Sequence, residues 1–358
     1  MLRALIPAAR DPKTRPFAQK KNKHLLPLAN TPVLFYVLGK LAQAGIRDVG
    51  IVTTLGDESL QRAVGDGKNF GVCVTYIPQE GGTRGIAHAV MQARDFLRDE
   101  PFVVHLGDNI VLDNIGRIIE RFQAEKPACL LAFAKVENPQ RFGVPVFEGD
   151  KLVRVEERPF HPQSSYAVAG LYCYSPAVHD IFPKLQPSHR GDFEISDVHT
   201  YFLEQGHSVT WVELKGWWKD TGNPEDLLEG NRFVLENLIP SLFEREGEIA
   251  PSAVIKGNVR IGPRTRILGN SVIIGPTVIG SGCLIKDAYI GPYTSVGDRS
   301  EIHGGEIENS ILFPEVRIAT QKRIQGSILG EEAVIAKEEA TRPSGHRLFI
   351  GENAIVDL

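Results

Sequence analysis

This chain has no long apolar run. No stretch of its 358 residues approaches the roughly 20 consecutive apolar side chains that a membrane-spanning helix needs, so no span is expected. It also lacks a strong charge imbalance. Forty Lys and Arg against 44 Asp and Glu leave a net charge of −4, too little to draw the whole molecule to nucleic acid or an anionic membrane. An anionic ligand must therefore be met by local basic residues. Cysteine is scarce. The four present (Cys73, Cys129, Cys173 and Cys283) lie far apart with no metal-ligand spacing, and they read as reduced, mostly buried thiols. The opening Met1-Leu-Arg-Ala-Leu-Ile-Pro has no signal-type cleavage site. A cytoplasmic protein is the expectation.

What is present is the composition of a globular protein, 42% hydrophobic and 23% charged, in a chain too long for one ordinary core. Two periodicities divide it. Residues 1–240 alternate short apolar runs with amphipathic stretches. Asp48-Val-Gly-Ile-Val-Thr-Thr, Phe102-Val-Val-His-Leu and Leu130-Leu-Ala-Phe-Ala read as buried strands, and Thr31–Ala44 and Ile115–Ala124 carry helical spacing. The expected fold is α/β, a Rossmann-like, mostly parallel or mixed sheet with helices on both faces, binding its ligand beyond the carboxyl ends of the strands.

From about 250 the period is six. Ile255, Ile261, Ile267, Ile273, Ile279 and Ile285 recur without a slip, with glycines and turn formers between them. The pattern returns at Ile290, Val296 and Ile302 and then loosens. Neither a helix nor a hairpin has that period, whereas a parallel β-helix buries one aliphatic residue per side of each turn. Residues 250–358 are therefore expected to form a second domain, with 241–250 as the connection. This half resembles the left-handed β-helix of hexapeptide-repeat proteins. Many of those are acyltransferases with a histidine base, for which His303, in a polar turn, and His346 are the candidates. The simpler reading is assembly and stiffening.

The chemistry is carried by segments of the first half. In Val104-His-Leu-Gly-Asp-Asn-Ile, Asp108 stands at the end of a strand, where a carboxylate can hold a magnesium ion against phosphate oxygens, though Asp-Asn there also reads as a turn. Gly216-Trp-Trp-Lys-Asp-Thr-Gly offers Asp220 just after Trp218. Phe142-Gly-Val, Val155-Glu-Glu-Arg-Pro, the run Ser164–Tyr172 and Arg190-Gly-Asp-Phe-Glu-Ile-Ser-Asp complete the set, with Ile77-Pro-Gln-Glu-Gly-Gly-Thr-Arg-Gly-Ile-Ala-His-Ala upstream. Together with residues 4–28 these segments resemble the sugar-phosphate nucleotidyltransferases from Leu2 to about Asn237. With the coil, the whole chain resembles the long glucose-1-phosphate thymidylyltransferases.

The resemblance implies a set of roles. Lys23 and Arg15 would act on the triphosphate and the leaving pyrophosphate, with Mg2+ held by Asp108 and Asp220. Gln79 and Gly85 would take the base. Asn109, Gly143, Glu157, Arg158, Val168, Glu194 and Trp218 would line the substrate pocket. Arg158 replaces a lysine, and Phe142 stands where some members carry tyrosine. Asp197 reads as a helix cap, and His88 as structural or surface. The implied substrates are dTTP and glucose-1-phosphate, the implied assembly a homo-oligomer, and no nucleic acid or membrane partner is implied.

One thing is missing from the likeness. The family opening has a glycine-rich loop, and here the matching stretch is Ala8-Ala-Arg-Asp-Pro-Lys-Thr-Arg-Pro-Phe-Ala, running on to Lys23. One placement puts Arg10 and Pro12 where glycines stand. Another aligns Thr14-Arg15 with the family Thr-Arg. Glycine lets backbone N–H groups approach phosphate, whereas proline has no N–H to offer. Arg10, Lys13, Arg15, Lys20 and Lys21 supply positive charge nearby. Two functions stay open: an active thymidylyltransferase, or a weak or inactive relative that binds nucleotide sugar or sugar phosphate as a regulatory or assembly subunit.

Overall fold

The computed structural model describes residues 2–10, 22–237 and 245–335. Arg15, Pro12, Lys13, Lys20, Lys21 and His346 lie outside the described residues, as does the connection before Arg245. The chain forms two compact units. One holds residues 2–10, 22–25 and Val33–Asp220, and the other holds Leu26–Pro32 and the described residues from Thr221 onward.

The first unit is built on a seven-stranded sheet. Its strands are Arg3–Pro7 (β1), Asp48–Thr54 (β2), Cys73–Gln79 (β3), Phe102–His105 (β4), Cys129–Lys135 (β5), Tyr166–Tyr174 (β6) and Val209–Glu213 (β7), in the order β7-β5-β6-β4-β1-β2-β3. Ala4 and Ile6 turn to one face and Leu5 to the other, and all are fully buried, as a strand covered on both sides requires. On the first face the helix Val33–Gln43 buries Val33, Leu34, Val37, Leu38 and Leu41, a spacing that returns every turn to the same side. Helix Ile115–Glu125 joins it with Ile115, Ile118, Ile119 and Phe122, and the Asn114 side chain accepts from Gly116 N. Helices Ile86–Gln92 and Ile195–Glu204 cover the second face.

The sheet is mixed. β6 runs antiparallel to both β4 and β5, while the other pairings are parallel. The chain leaves β5 and returns through the hairpin Gly143–Glu148 and Lys151–Glu157 with no crossover helix, so β6 comes back in the opposite sense. β1 lies between β2 and β4, and the order of the parallel strands reverses there. A ligand crevice is expected beyond the carboxyl ends of β1 and β4.

In the second unit, strands Pro27–Leu28 and Thr31–Pro32 pair around Ala29 (φ 48°) and Asn30 (φ 63°), two left-handed residues that suit a tight hairpin. Its tip is held by the buried Asn231 of helix Pro224–Asn237. Asn231 Oδ1 accepts from Ala29 N at 2.8 Å and from Ser295 Oγ at 2.7 Å, and its Nδ2 donates to Tyr293 O at 3.0 Å. Asn30 Nδ2 donates to Val296 O at 2.7 Å.

The coil stacks parallel rungs in three sheets. The columns are Ile267–Ile285–Ile302–Ile318, Ile255–Ile273–Ile290–Ile307–Ile324 and Ile261–Ile279–Val296–Leu312–Leu329, a β-helix of the hexapeptide kind. Ile255 pairs eighteen residues on with Ile273, but Ile273 meets Ile290 seventeen on, so a turn that drops a residue breaks the sixfold count without breaking the stack. Rungs begin before 250, where Glu248–Ile249 already pairs with Arg266–Ile267. His303 is exposed at the end of strand Glu301–His303, not in a turn, because Ile302 takes the inward place. Asp197 lies in the first turn of its helix, whose cap position is Glu194. Cys129, Cys173 and Cys283 are buried, and Cys73 is exposed.

Candidate active site

The crevice is occupied by a lysine–aspartate pair. Lys23 opens a short turn of 3-10 helix, and its Nζ lies 2.6 Å from Asp108 Oδ2, three residues beyond β4. Asp108 is 6% exposed. Burial alone would raise its pKa, but Lys23, His24 and a hydrogen bond from Asn109 Nδ2 (3.0 Å) hold the carboxyl well below the usual range. Gly107 is required by close approach, since a Cβ there would come within 2.7 Å of the His24 ring.

The second carboxylate arrives by strand pairing. Trp218–Asp220 runs antiparallel to Asn109–Val111, setting Asp220 opposite Asn109, the residue that follows Asp108. Trp218 Nε1 donates to Asn109 Oδ1 at 2.8 Å, and Phe142 packs edge-on to Trp218 with ring centroids 5.1 Å apart. Gly170, at φ 63°, gives Asn109 its room, because a Cβ there would lie 2.7 Å from Asn109 Oδ1.

A second cluster lies where the hairpin meets helix Ile195–Glu204. Glu157 pairs in register with Gly143, and its Oε2 accepts from Ser196 Oγ at 2.7 Å. Gly143 has no space for a side chain. A Cβ would meet Ser196 Oγ at 2.7 Å and Val168 at 3.4 Å. Arg158, at φ 47°, brings its Nε 3.5 Å from Glu157 Oε1 and is largely exposed. Glu194 accepts from Ser188 Oγ at 2.8 Å and lies 3.2 Å from Arg190 Nε, and burial first, with repulsion from Glu157, pushes its pKa up. The buried Tyr172 joins the clusters: after burial itself, the charges raising its pKa are Glu157, Asp108 and Asp220 in turn.

Gln79 ends β3 on the same edge of the sheet and is buried, its amide 2.7 Å from His88 Nδ1. Gly85, at φ 90°, allows the chain to pass Phe193, whose carbonyl oxygen would be 2.4 Å from a Cβ there. The contacts thus set the predicted residues in three groups: Lys23, Asp108, Asn109, Trp218 and Asp220; Gly143, Glu157, Arg158, Val168 and Glu194; and Gln79 and Gly85 beside His88 and Phe193.

Sequence reasoning missed several partners. The fully buried Asn22 clasps the base of the altered loop, its Nδ2 donating to Ala8 O at 2.9 Å and its Oδ1 accepting from His24 N at 3.1 Å and His24 Nδ1 at 2.6 Å. Ser196 and Ser188 orient the two glutamates. No periodicity marks such residues. The Arg10 amide, standing where a glycine N–H would face phosphate in one placement, instead donates to Thr54 Oγ1 at 2.7 Å.

Among the described residues no group of three or more His, Cys, Asp or Glu could cage a metal by itself. Asp108 and Asp220, whose charges both reach Tyr172, are oxygen donors of the kind a hard divalent ion takes together with water.

The mixed α/β sheet with its switch point at β1, followed by the hexapeptide coil, fits an enzyme that transfers a nucleotidyl group. The family described as Nucleotidyl transferase matches residues 13–237. A glucose-1-phosphate thymidylyltransferase of Streptomyces antibioticus is 39% identical over 97% of this chain and 96% of its own length. The low-salt glycan biosynthesis nucleotidyltransferase of Haloferax volcanii is 38% identical over 99% of both. A solved Bacillus anthracis structure, assigned as a glucose-1-phosphate thymidylyltransferase and bound to sucrose, has a TM-score of 0.61 at 35% identity over 65% of this chain and 95% of that one. This chain belongs to the nucleotidyl transferase family, whose members generally work with a divalent metal.

Proposed function

We propose that the protein joins dTTP and glucose-1-phosphate into dTDP-glucose and pyrophosphate, with Mg2+ as the metal. The observation that carries this is the pairing of Lys23 with the buried Asp108, with Asp220 on the adjoining strand. Lys23 exchanges Asp108 for a phosphate oxygen when the nucleotide enters. Asp108 and Asp220 would hold the metal, which when bound neutralises triphosphate charge. Glu157 and Glu194 accept hydrogen bonds from sugar hydroxyls, and Arg158 holds the sugar phosphate. A sugar-phosphate oxygen attacks the α-phosphorus in line, a new P–O bond forms and the bond to the β-phosphate oxygen breaks. Arg15 is assigned to the departing pyrophosphate on family likeness alone.

A second reading is favoured by one contact. The Arg10 N–H is committed to Thr54, so a backbone cradle is weakened where the glycines are missing. Lost positioning can cost on the order of 100-fold in rate, which would suit a binding subunit. Pyrophosphate release with Mg2+, glucose-1-phosphate and each nucleoside triphosphate separates the two. Turnover with dTTP supports the enzyme, and nucleotide-sugar binding without turnover supports the subunit. Neither binding nor turnover would remove the pocket assignment altogether.

The stacked coil is the proposed assembly surface of a symmetric homo-oligomer, tested by light scattering of the full chain. Among the described residues no helix is long and apolar enough to cross a membrane. A cytoplasmic location is part of the proposal.

A further inference from the structure

Two carboxamides address the two nitrogens of one buried imidazole. Gln79 Nε2 lies 2.7 Å from His88 Nδ1, and Gln92 Nε2 lies 3.4 Å from His88 Nε2. The ring is 8% exposed and stacks on Phe193 at 6.2 Å, with the Arg84 guanidinium 5.1 Å from the same phenyl ring. Burial first and the Arg84 charge second lower the His88 pKa, which favours a neutral ring at pH 7.

A neutral imidazole has one N–H and one lone pair. It cannot accept from an amide N–H at both nitrogens, so one carboxamide must present oxygen instead. A half-turn of the terminal amide makes that exchange at no steric cost. The Gln79 contact is the shorter and the more buried, whereas Gln92 is half-buried with the longer contact. Turning Gln92 satisfies the whole chain of contacts. Gln79 Nε2–H donates to Nδ1, and His88 Nε2–H donates to Gln92 Oε1. The amide edge that Gln79 then presents to a ligand is its oxygen.

We propose that His88 and Gln92 are positioning residues that fix the Gln79 carboxamide with its oxygen toward the nucleobase. The site thereby takes a pyrimidine bearing N3–H, thymine or uracil, and rejects cytosine, whose N3 is an acceptor. This rests on the proposed role of Gln79 as the base contact. The opposite ring tautomer would turn the Gln79 amide over and offer NH2 to the base, reversing the choice. The half-buried Gln92 therefore controls selectivity from outside the pocket.

The test is equilibrium binding of dTTP and of dCTP, each with Mg2+, to the full chain. Binding reads selectivity whatever the turnover rate. Gln92→Glu can only accept; with binding read at pH 8 or above, where the ring beside the new carboxylate is neutral, it keeps the ring proton on Nε2 and is expected to keep the preference for dTTP. Gln92→Lys can only donate, so it drives the proton to Nδ1 and is expected to lower the dTTP-to-dCTP affinity ratio by about tenfold or more, the scale of one mismatched buried hydrogen bond. Glucose-1-phosphate affinity should stay unchanged in both, which a general loss of structure would not allow. Equal ratios in the two Gln92 variants, or no discrimination in the unmodified protein, overturn the relay. Gln79→Ala separates the layers. If it too leaves the ratio intact, the base-reading role of Gln79 has failed. If it abolishes the ratio while the Gln92 variants do not, only the relay has failed.

Discussion

In the coil, a side chain's neighbours follow from its number. Ile255 meets Ile273, Ile273 meets Ile290, and each rung repeats the last. At the crevice, number predicts little. Asp108 meets Lys23, which lies far upstream, and its neighbour Asn109 meets Trp218, far downstream. The coil spreads its stability over many equivalent contacts and has no single decisive residue. The crevice concentrates its chemistry in a few side chains that contribute little to folding. Substitutions should therefore divide cleanly, with those in the coil changing stability and those in the crevice changing rate.

The largest effect is expected from Asp108→Asn. Removing the charge proposed to hold the metal should lower kcat/KM on the order of 1,000-fold. The thermal midpoint should fall by a smaller factor, because the low Asp108 pKa means its charge also stabilises the fold, while Lys23, with 21% of its side chain exposed, can turn to water. Pyrophosphate release and calorimetry on one preparation check both halves. Ile285→Ala is the mirror experiment. It empties a fully buried rung position and should cost about 2–5 kcal/mol in denaturant unfolding while kcat/KM stays as it was. A coil variant that lost rate while keeping its stability would break the division.

Acid should distinguish the units next. His105, by burial, has its pKa lowered to about 4, and His199, by burial, to about 3. His199 Nε2 lies 2.6 Å from the Tyr174 hydroxyl. The unfolded chain takes up these protons first, near pH 6.5, so stability is full above that value and falls as pH drops toward 4. Each ring contributes roughly 3 kcal/mol to the loss. Both rings belong to the α/β unit, so its transition in pH-dependent urea unfolding should show this acid sensitivity. The smallest effect is expected from Ser196→Ala, which removes the hydroxyl on Glu157. KM for glucose-1-phosphate should rise about three- to tenfold with KM for dTTP unchanged, read by steady-state kinetics.

The same comparison explains what could be read from the sequence. The β-helix was legible because burial repeats every six residues, and the count failed where turns lose a residue, after Ile285, Ile302, Ile307 and Ile324. The α/β sheet was legible from its buried strands, but the reversed direction of β6 was not, since a strand covered on both faces has the same pattern either way. Asp108, Asp220, Glu157 and Glu194 stood out because they sit in recognisable segments. Asn22, Ser188 and Ser196 did not, because a common polar residue acquires its role only when the chain brings it to a carboxylate or a carbonyl. By its sequence His88 is a structural or surface residue, and nothing in its local sequence indicates the amide it meets across the turn at Gly81 and Gly82.

The most direct test of the account is a crystal structure of the full chain with dTTP and Mn2+, the metal located by its anomalous signal. The account predicts manganese between the Asp108 and Asp220 carboxylates, with Lys23 turned from Asp108 onto a phosphate oxygen. A nucleotide bound with its metal remote from both aspartates, or with Lys23 still paired to Asp108, would contradict it.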